Sequence, residues 1–310
     1  MWIADKWKDY ELIDCSGGER LERWGGEILI RPDPQVIWNT PRTNLLWEQA
    51  GARYQRSRTG GGHWEAHDLP ESWSVVYGDL TFHVKPMNFK HTGLFPEQAA
   101  NWDFVREQIA RVPAPEAEAE SKGLFSNLFP RSESGAGVRV LNLFAYTGGA
   151  TVACAKAGAS VCHVDAAKGM VAWARENARL SGVEKAPIRW IVDDCVKFVD
   201  REIRRGRRYD AIIMDPPSYG RGPGGELWKI EEQLYELVKL CVGALSERPL
   251  FFLISSYTTG LAPSVTGYLL NTLLKPRYGG TVAYDELGLP VTESGLALPC
   301  GAAGRWVADL

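Results

Sequence analysis

The sequence predicts an α/β protein built on a doubly wound parallel sheet. Three observations carry this. From Val138 onward, short apolar runs alternate with amphipathic segments of helical length. One run, Ala211-Ile212-Ile213-Met214, is apolar at every position, as a central strand covered on both faces must be. Three consecutive runs end in carboxylates, at Asp165, Asp193-Asp194 and Asp215, which places acids along one rim of the sheet.

The 310 residues leave room for one large domain and a smaller one. Hydrophobic content of 45% and charged content of 24% are ordinary for a soluble globular chain. No run of eighteen apolar residues exists, so no membrane association is expected. MWIADKWKDY lacks the basic-then-apolar order of a signal peptide, and a cytoplasmic location is expected. Of the six cysteines, no two are spaced C-x-x-C, so structural thiols are expected and a metal site is not. A net charge of −3 gives no general attraction to nucleic acid, and polyanion contacts must come from local patches.

Residues 1–85 read as a small β-rich N-terminal domain. Glu27–Arg31 is strand-like, and Trp73–Tyr77 and Leu80–Val84 flank Gly78-Asp79 as a hairpin. Trp2, Trp7, Trp24, Trp38, Trp47, Trp64 and Trp73 read as core rather than as base-stacking platforms. Arg53–Trp64, with three arginines and a glycine triplet, fits a mobile phosphate clamp and a solvated hairpin end equally. A helix is expected to start near Pro96. Residues 112–137, rich in Pro, Glu, Ser, Ala and Gly, read as a linker or insertion within a second domain spanning 86–310.

In that domain, strands are predicted at Val138–Phe144, Ser160–Asp165, Ile188–Asp193, Tyr209–Asp215, Pro249–Ser255, Thr281–Leu287 and Arg305–Asp309. Helices are predicted at Ala150–Ala157, Lys168–Ser181, Val196–Arg205, about Glu226–Leu245 and Ala262–Leu274. The basic run Lys197, Arg201, Arg204, Arg205, Arg207 and Arg208 reads as a solvated helix face more readily than as a phosphate contact.

Leu141–Ala150, LNLFAYTGGA, is a strand, a glycine turn and a helix start, where backbone N–H groups can approach a ligand. It is not the G-x-G-x-x-G fingerprint. Eighteen residues after Thr147, Asp165 ends the next strand, placed to take both hydroxyls of a ribose. The third strand ends in Asp193-Asp194-Cys195, near where a purine edge would lie. In Tyr209–Gly220 the two prolines force the chain out of the sheet where Asp215 appears. A ribose acid without a basic phosphate clamp fits a nucleoside lacking a pyrophosphate, and S-adenosylmethionine is one.

NLFAYTGG, the strand-end Asp165, VDDC and DPPSYG together resemble the class I S-adenosylmethionine-dependent methyltransferases. FKHTGLFPEQ is similar to the extra N-terminal cofactor motif of bacterial large-subunit (23S) rRNA methyltransferases, the group with cytosine-C5 and guanine-N7 enzymes. The resemblance covers roughly residues 86–310 and implies a Rossmann-like seven-stranded sheet whose last strand is antiparallel. It implies that Phe144, Ala145, Tyr146, Thr147 and Gly148 cradle the methionine and ribose of the cofactor. Asp165, with Ala166 beside it, would hold the ribose, and Asp194 and Cys195 the adenine. Lys90, Thr92, Gly93 and Leu94 would close over the cofactor. Asp215, Pro216, Pro217 and Tyr219 would face the substrate base, with ribosomal RNA as the implied partner.

One departure bears on mechanism. The cytosine-C5 enzymes carry a nucleophilic cysteine after the fifth strand, where this chain has Ser255-Ser256-Tyr257-Thr258-Thr259. Direct transfer to a ring or exocyclic nitrogen is therefore expected. The reservation is Cys300, placed in the connection between the last two strands. Methylation of a protein side chain or small molecule, and a non-catalytic adenosine-binding module, are the alternatives. Methyl acceptance by RNA separates the first, and cofactor turnover the second.

Overall fold

The structure is a computed structural model, and it describes residues 1–57, 61–112, 137–221 and 227–309. The N-terminal strands are β1 (Trp2–Ile3), β2 (Tyr10–Ser16), β3 (Glu19–Trp24), β4 (Glu27–Pro32), β5 (Ala52–Arg56) and β6 (Gly62–Ala66). A hairpin of β7 (Trp73–Tyr77) and β8 (Leu80–Val84) follows, turning at Gly78 with φ 58°. Next come α1 (Ala99–Ala110), β9 (Arg139–Leu143), α2 (Gly149–Lys156), β10 (Ser160–Asp165) and α3 (Lys168–Leu180). They lead to β11 (Ile188–Val192), α4 (Cys195–Arg204) and β12 (Ala211–Met214), then a small hairpin of β13 (Tyr219–Arg221) and β14 (Leu227–Lys229). The chain closes with α5 (Ile230–Val242), β15 (Phe251–Ser256), α6 (Pro263–Leu273), α7 (Lys275–Tyr278), β16 (Thr281–Pro290) and β17 (Ala297–Val307).

The large sheet has the order β1-β16-β17-β15-β12-β9-β10-β11. β17 runs antiparallel to both neighbours, and the other pairs are parallel. Seven strands follow the expected plan. The eighth is β1, which adds the N-terminus to the edge beside β16. Along β9, Val140 joins the apolar cluster on the face covered by α1, α2 and α3, while Leu141 and Leu143 join the one under α4, α5 and α6. This period-two alternation between two covered faces is why the central strands read as unbroken apolar runs. Phe251 and Phe252 are fully buried on opposite faces. Each stabilises the sheet by about 2–3 kcal/mol.

β2–β6 form a second sheet, whose core residues Tyr10, Trp24 and Leu29 belong to the same cluster as Val140 and Trp102. Six of the seven N-terminal tryptophans pack into or against cores, and Trp38 is exposed. The Arg53–Trp64 segment is a β5–β6 hairpin, with residues 58–60 outside the described residues. Arg53 is bonded to Glu19, and Trp64 Nε1 donates to the Met87 carbonyl at 2.9 Å, which occupies two of the groups a clamp would use. The stretch read as a linker lies almost wholly outside the described residues, at 113–136. No helix among the described residues is long and apolar enough to cross a membrane.

Two expectations shift. The helix expected from Glu226 begins at Ile230, because Leu227–Lys229 first pairs with Tyr219–Arg221. β16 runs three residues further than expected, β17 begins eight residues earlier, at Ala297, and Cys300 therefore lies inside β17 rather than in a connection. The glycines that argue against a strand are close-approach points. A Cβ on Gly301 would sit 2.8 Å from the Tyr257 ring, and one on Gly304 2.7 Å from Thr266.

Candidate active site

The carboxyl ends of β9, β10, β11 and β12 open into a cavity of about 460 Å³. The loop after β9 shapes it through backbone strain. Phe144 and Tyr146 both sit in the left-handed region, at φ 53° and 50°. Each costs on the order of 1 kcal/mol or more, and both rings line the cavity. Three bonds hold this geometry. Ala145 N donates to the Val164 carbonyl at 3.1 Å, Tyr146 N to Asp165 Oδ2 at 2.8 Å, and Phe144 N to Cys195 Sγ at 3.4 Å. Asp165 Oδ1 accepts from Ala167 N at 2.8 Å, which leaves lone pairs on a cavity-lining carboxylate for a ligand's hydroxyls. Ala166 lines the cavity beside it.

Asp194 and Cys195 also line the cavity. Asp194 caps α4, its Oδ1 accepting from Lys197 N at 2.9 Å, while Asp193 is paired with Arg201 and lies off the lining. The glycine turn works through packing. Gly148, at φ 82°, caps α2 and would bring a Cβ within 2.8 Å of Ala174, and a Cβ on Gly149 would stand 2.7 Å from Trp102. Ala145, Thr147 and Gly149 line a smaller adjoining space of about 60 Å³.

The segment before α1 is tied to this loop. Thr147 Oγ1 donates to the Gly93 carbonyl at 2.5 Å. Gly93 holds φ 93°, and any Cβ there would meet the Trp173 ring at 2.3 Å. Leu94 lines the smaller space, Thr92 is fully buried, and Lys90 faces a neighbouring cavity instead. His91 and Phe95 are the residues of this segment that line the main cavity. Burial, Arg31 and Lys90 hold the His91 imidazole down at about 4. Burial also lowers Lys90 to about 8, with Arg31 and Arg20 adding to the effect.

Asp215, Pro216 and Pro217 line the main cavity, and Asp215 also lines the smaller space. No hydrogen bond or ion pair from the described residues reaches the half-buried Asp215 carboxyl, which burial and the nearby Glu97 push up to about 7. Tyr219 stands 58% exposed, off the cavity lining. The aromatic surface comes from Tyr257 and Trp228, which the sequence reading missed. Tyr257 packs 5.4 Å from Phe95, and Trp228 Nε1 donates to the Pro217 carbonyl at 2.6 Å. Tyr257 lies in the segment singled out only for its missing thiol, and no local pattern marks Trp228.

All six cysteines are buried. Burial pushes the Cys195 and Cys300 thiols well above their ordinary range. Neither is poised as a thiolate.

Among the described residues no lysine or arginine lines the main cavity, so it has no clamp for a pyrophosphate. Its volume, the free acceptors on Asp165 and the apolar walls fit a nucleoside that carries no phosphate. Sheet order and rim together define a class I methyltransferase. Comparison with known proteins agrees. Residues 120–226 match a family model described as S-adenosylmethionine-dependent methyltransferase. The crystal structure of an S-adenosylmethionine-dependent methyltransferase from Agrobacterium tumefaciens is 32% identical, with a TM-score of 0.85 over 97% of this chain and 91% of that one. The chain belongs to the S-adenosylmethionine-dependent methyltransferases, and S-adenosylmethionine is its cofactor. Two curated relatives match a shorter stretch. Ribosomal RNA large subunit methyltransferase K/L of Allochromatium vinosum is 44% identical over 84 residues, 27% of this chain. Ribosomal RNA large subunit methyltransferase K of Neisseria meningitidis is 39% identical over 88 residues, 28% of this chain. The matches span 11% and 25% of those two proteins.

Proposed function

We propose that the protein transfers a methyl group from S-adenosylmethionine to a ring or exocyclic nitrogen of a ribosomal RNA base, by direct displacement. The observation that carries the reading is Asp215, an unpaired carboxyl at about 7 where the cofactor cavity meets an aromatic wall. The names of the two curated relatives support RNA as the substrate. A cytoplasmic setting goes with that substrate.

In this reading Phe144, Tyr146, Asp165, Ala166, Asp194 and Cys195 hold the nucleoside part of the cofactor. Ala145, Thr147 and Leu94 shape the space for its methionine end. Gly93 and Gly148 fix the backbone around both. Bound there, the cofactor would supply a methyl already activated on a sulfonium, whose sulfur would keep the carbon–sulfur electron pair as the base nitrogen takes the methyl. Asp215 accepts a hydrogen bond from the N–H at the reacting centre and takes its proton as the nitrogen gains charge. A carboxyl near 7 is poised for that transfer at neutral pH. Phe95, Tyr257 and Trp228 exclude water and offer faces for an extruded base. Pro216 and Pro217 fix the turn that presents Asp215, and the exposed Tyr219 is left for contact with the RNA outside the cavity.

Mapping modified nucleotides in ribosomal RNA from cells with and without the protein tests the reading. One methylated base is expected to vanish with the gene and return with the purified enzyme; an unchanged map refutes RNA as the substrate. For the mechanism, Cys300→Ala is expected to keep methyl transfer within about twofold, and 5-fluorocytidine RNA is expected not to trap the enzyme. Loss of transfer in Cys300→Ala, or a trapped adduct, refutes direct displacement.

A further inference from the structure

A second cavity, of about 320 Å³, adjoins the cofactor cavity and shares His91, Phe95 and Tyr257 with it. Its outer wall is the N-terminal sheet, which contributes Arg20, Arg31 and Asp33. These charges are already partnered. Arg20 is paired with Asp33, and Arg31 takes Glu22 in a two-bond fork at 2.6 and 2.7 Å. Lys90 Nζ donates to the Pro32 carbonyl at 3.3 Å.

Glu97 differs. It lines the same cavity and is 3% exposed; burial raises its carboxyl above the ordinary range against the pull of Arg20, Arg31 and the nearby Tyr257 hydroxyl, and among the described residues its Oε2 makes no hydrogen bond. A buried carboxyl oxygen left without a donor is costly; Glu202 Oε1, which shares that state, has Arg207 and Arg205 within 4 Å, whereas among the described residues Glu97 forms no ion pair and stays open to a donor from outside. The surrounding surfaces are flat. Phe95 and Tyr257 lie 5.4 Å apart at 33°, His91 is tilted 53° to Phe95 at 5.2 Å, and Pro32, Pro34 and Pro96 also line the cavity. A planar ring carrying an N–H edge matches such walls around one unpartnered acceptor. Glu97 also stands close enough to raise Asp215, so a ring held by it lies near the group that faces the methyl.

We propose that this cavity receives the acceptor base, and that Glu97 takes a hydrogen bond from the base's exocyclic amino group and thereby selects amino-bearing bases. The proposal deepens the RNA reading and rests on it for the identity of the ring as a nucleobase. The same edge without the amino group offers either nothing or a carbonyl oxygen, neither of which can donate to Glu97 Oε2. Glu97 is a specificity-determining residue here, distinct from Asp215 at the reacting atoms.

The test uses the full chain saturated with S-adenosylhomocysteine, titrated with nucleosides that differ only at the amino group. The pairs are cytidine and uridine, adenosine and purine riboside, and guanosine and inosine. In at least one pair the amino member is expected to bind roughly tenfold more tightly. Glu97→Leu is expected to erase that preference while S-adenosylhomocysteine affinity stays within about twofold. Should Glu97→Leu fail to fold, Glu97→Gln is expected to reduce the preference at least about threefold. The proposal is overturned if no nucleoside binds, if no pair is discriminated, or if discrimination survives the substitution. Labelled methyl transfer to ribosomal RNA, measured alongside, judges the RNA reading separately, since the nucleoside pairs report on the cavity even where RNA is not methylated.

Discussion

The two ends of the large sheet carry charge in opposite ways. At the amino ends of β9–β12, a groove of about 890 Å³ is lined by Arg139, Arg189, Arg207, Arg208 and Arg248, with Asp210 and Glu247. It is the larger concavity, yet most of its charge is tied up. Arg139 grips Asp210 at 3.0 Å, and Glu202, fully buried behind it, takes Arg189 at 2.9 Å, Tyr209 at 2.6 Å and Arg207 at 3.5 Å. At the carboxyl ends the cavity is about half that size, and there Asp215 has no partner among the described residues. Size therefore misleads as a guide to chemistry in this fold. The group that stays unpartnered at a cost is the better guide.

The contrast extends to the basic run of α4. Arg201 is held by Asp193, Arg204 by Asp200 at 2.9 Å, and Arg205 and Arg207 by Glu202. These arginines are committed within the molecule, which favours a solvated helix face over a phosphate contact.

The largest effect is expected at the rim. Asp215→Ala is expected to cut methyl transfer by on the order of a thousandfold while cofactor affinity changes little, read by single-turnover kinetics beside calorimetry. Retained activity would remove Asp215 from the chemistry. At the opposite end, Glu202→Ala is expected to cost about 1–3 kcal/mol of stability and leave turnover unaltered, since it strands the buried Tyr209 hydroxyl while its arginine partners keep solvent. Arg189 and Tyr209 outweigh burial and hold Glu202 below its ordinary 4.5. Its stabilisation is therefore present above that value and lost as pH falls through the lowered one, which urea titrations in acid would register. A comparable effect is expected at Asp165→Ala, a loss of about 1.5–3 kcal/mol in cofactor binding by calorimetry. Unchanged binding there would break the assignment of the ribose site.

Legibility in the sequence followed the range of the interactions. Ser160–Asp165 reads as a strand because its apolar run and terminal acid are local facts, and the structure gives the same bounds. Asp215 is visible because prolines cannot extend a central strand. The aromatic wall was not visible. Tyr257 reaches Phe95 across more than half the chain, and Trp228 is turned back onto Pro217 by a β13–β14 hairpin with no local sequence signal. Glu97 was equally hidden, since its environment is completed by Arg20 and Arg31 from a different sheet. β17 was shortened in the reading because its glycines look like turn residues, whereas they admit the Tyr257 ring and Thr266.

The account stands or falls on Asp215 being an unpaired carboxyl held at the rim for chemistry. Its ordinary value is 3.8, and burial raises it to about 7. The folded state then binds the extra proton between those values, so its contribution to stability falls as pH rises through about 7. The direct measurement is urea unfolding of the wild type and Asp215→Asn, from about pH 5 to about pH 9. The account predicts that the variant gains on the wild type as pH rises, by about 2 kcal/mol at the alkaline end, while losing methyl transfer throughout. A difference independent of pH, or a wild type that is the more stable protein above about pH 8, would show that the carboxylate has a partner and contradict the account.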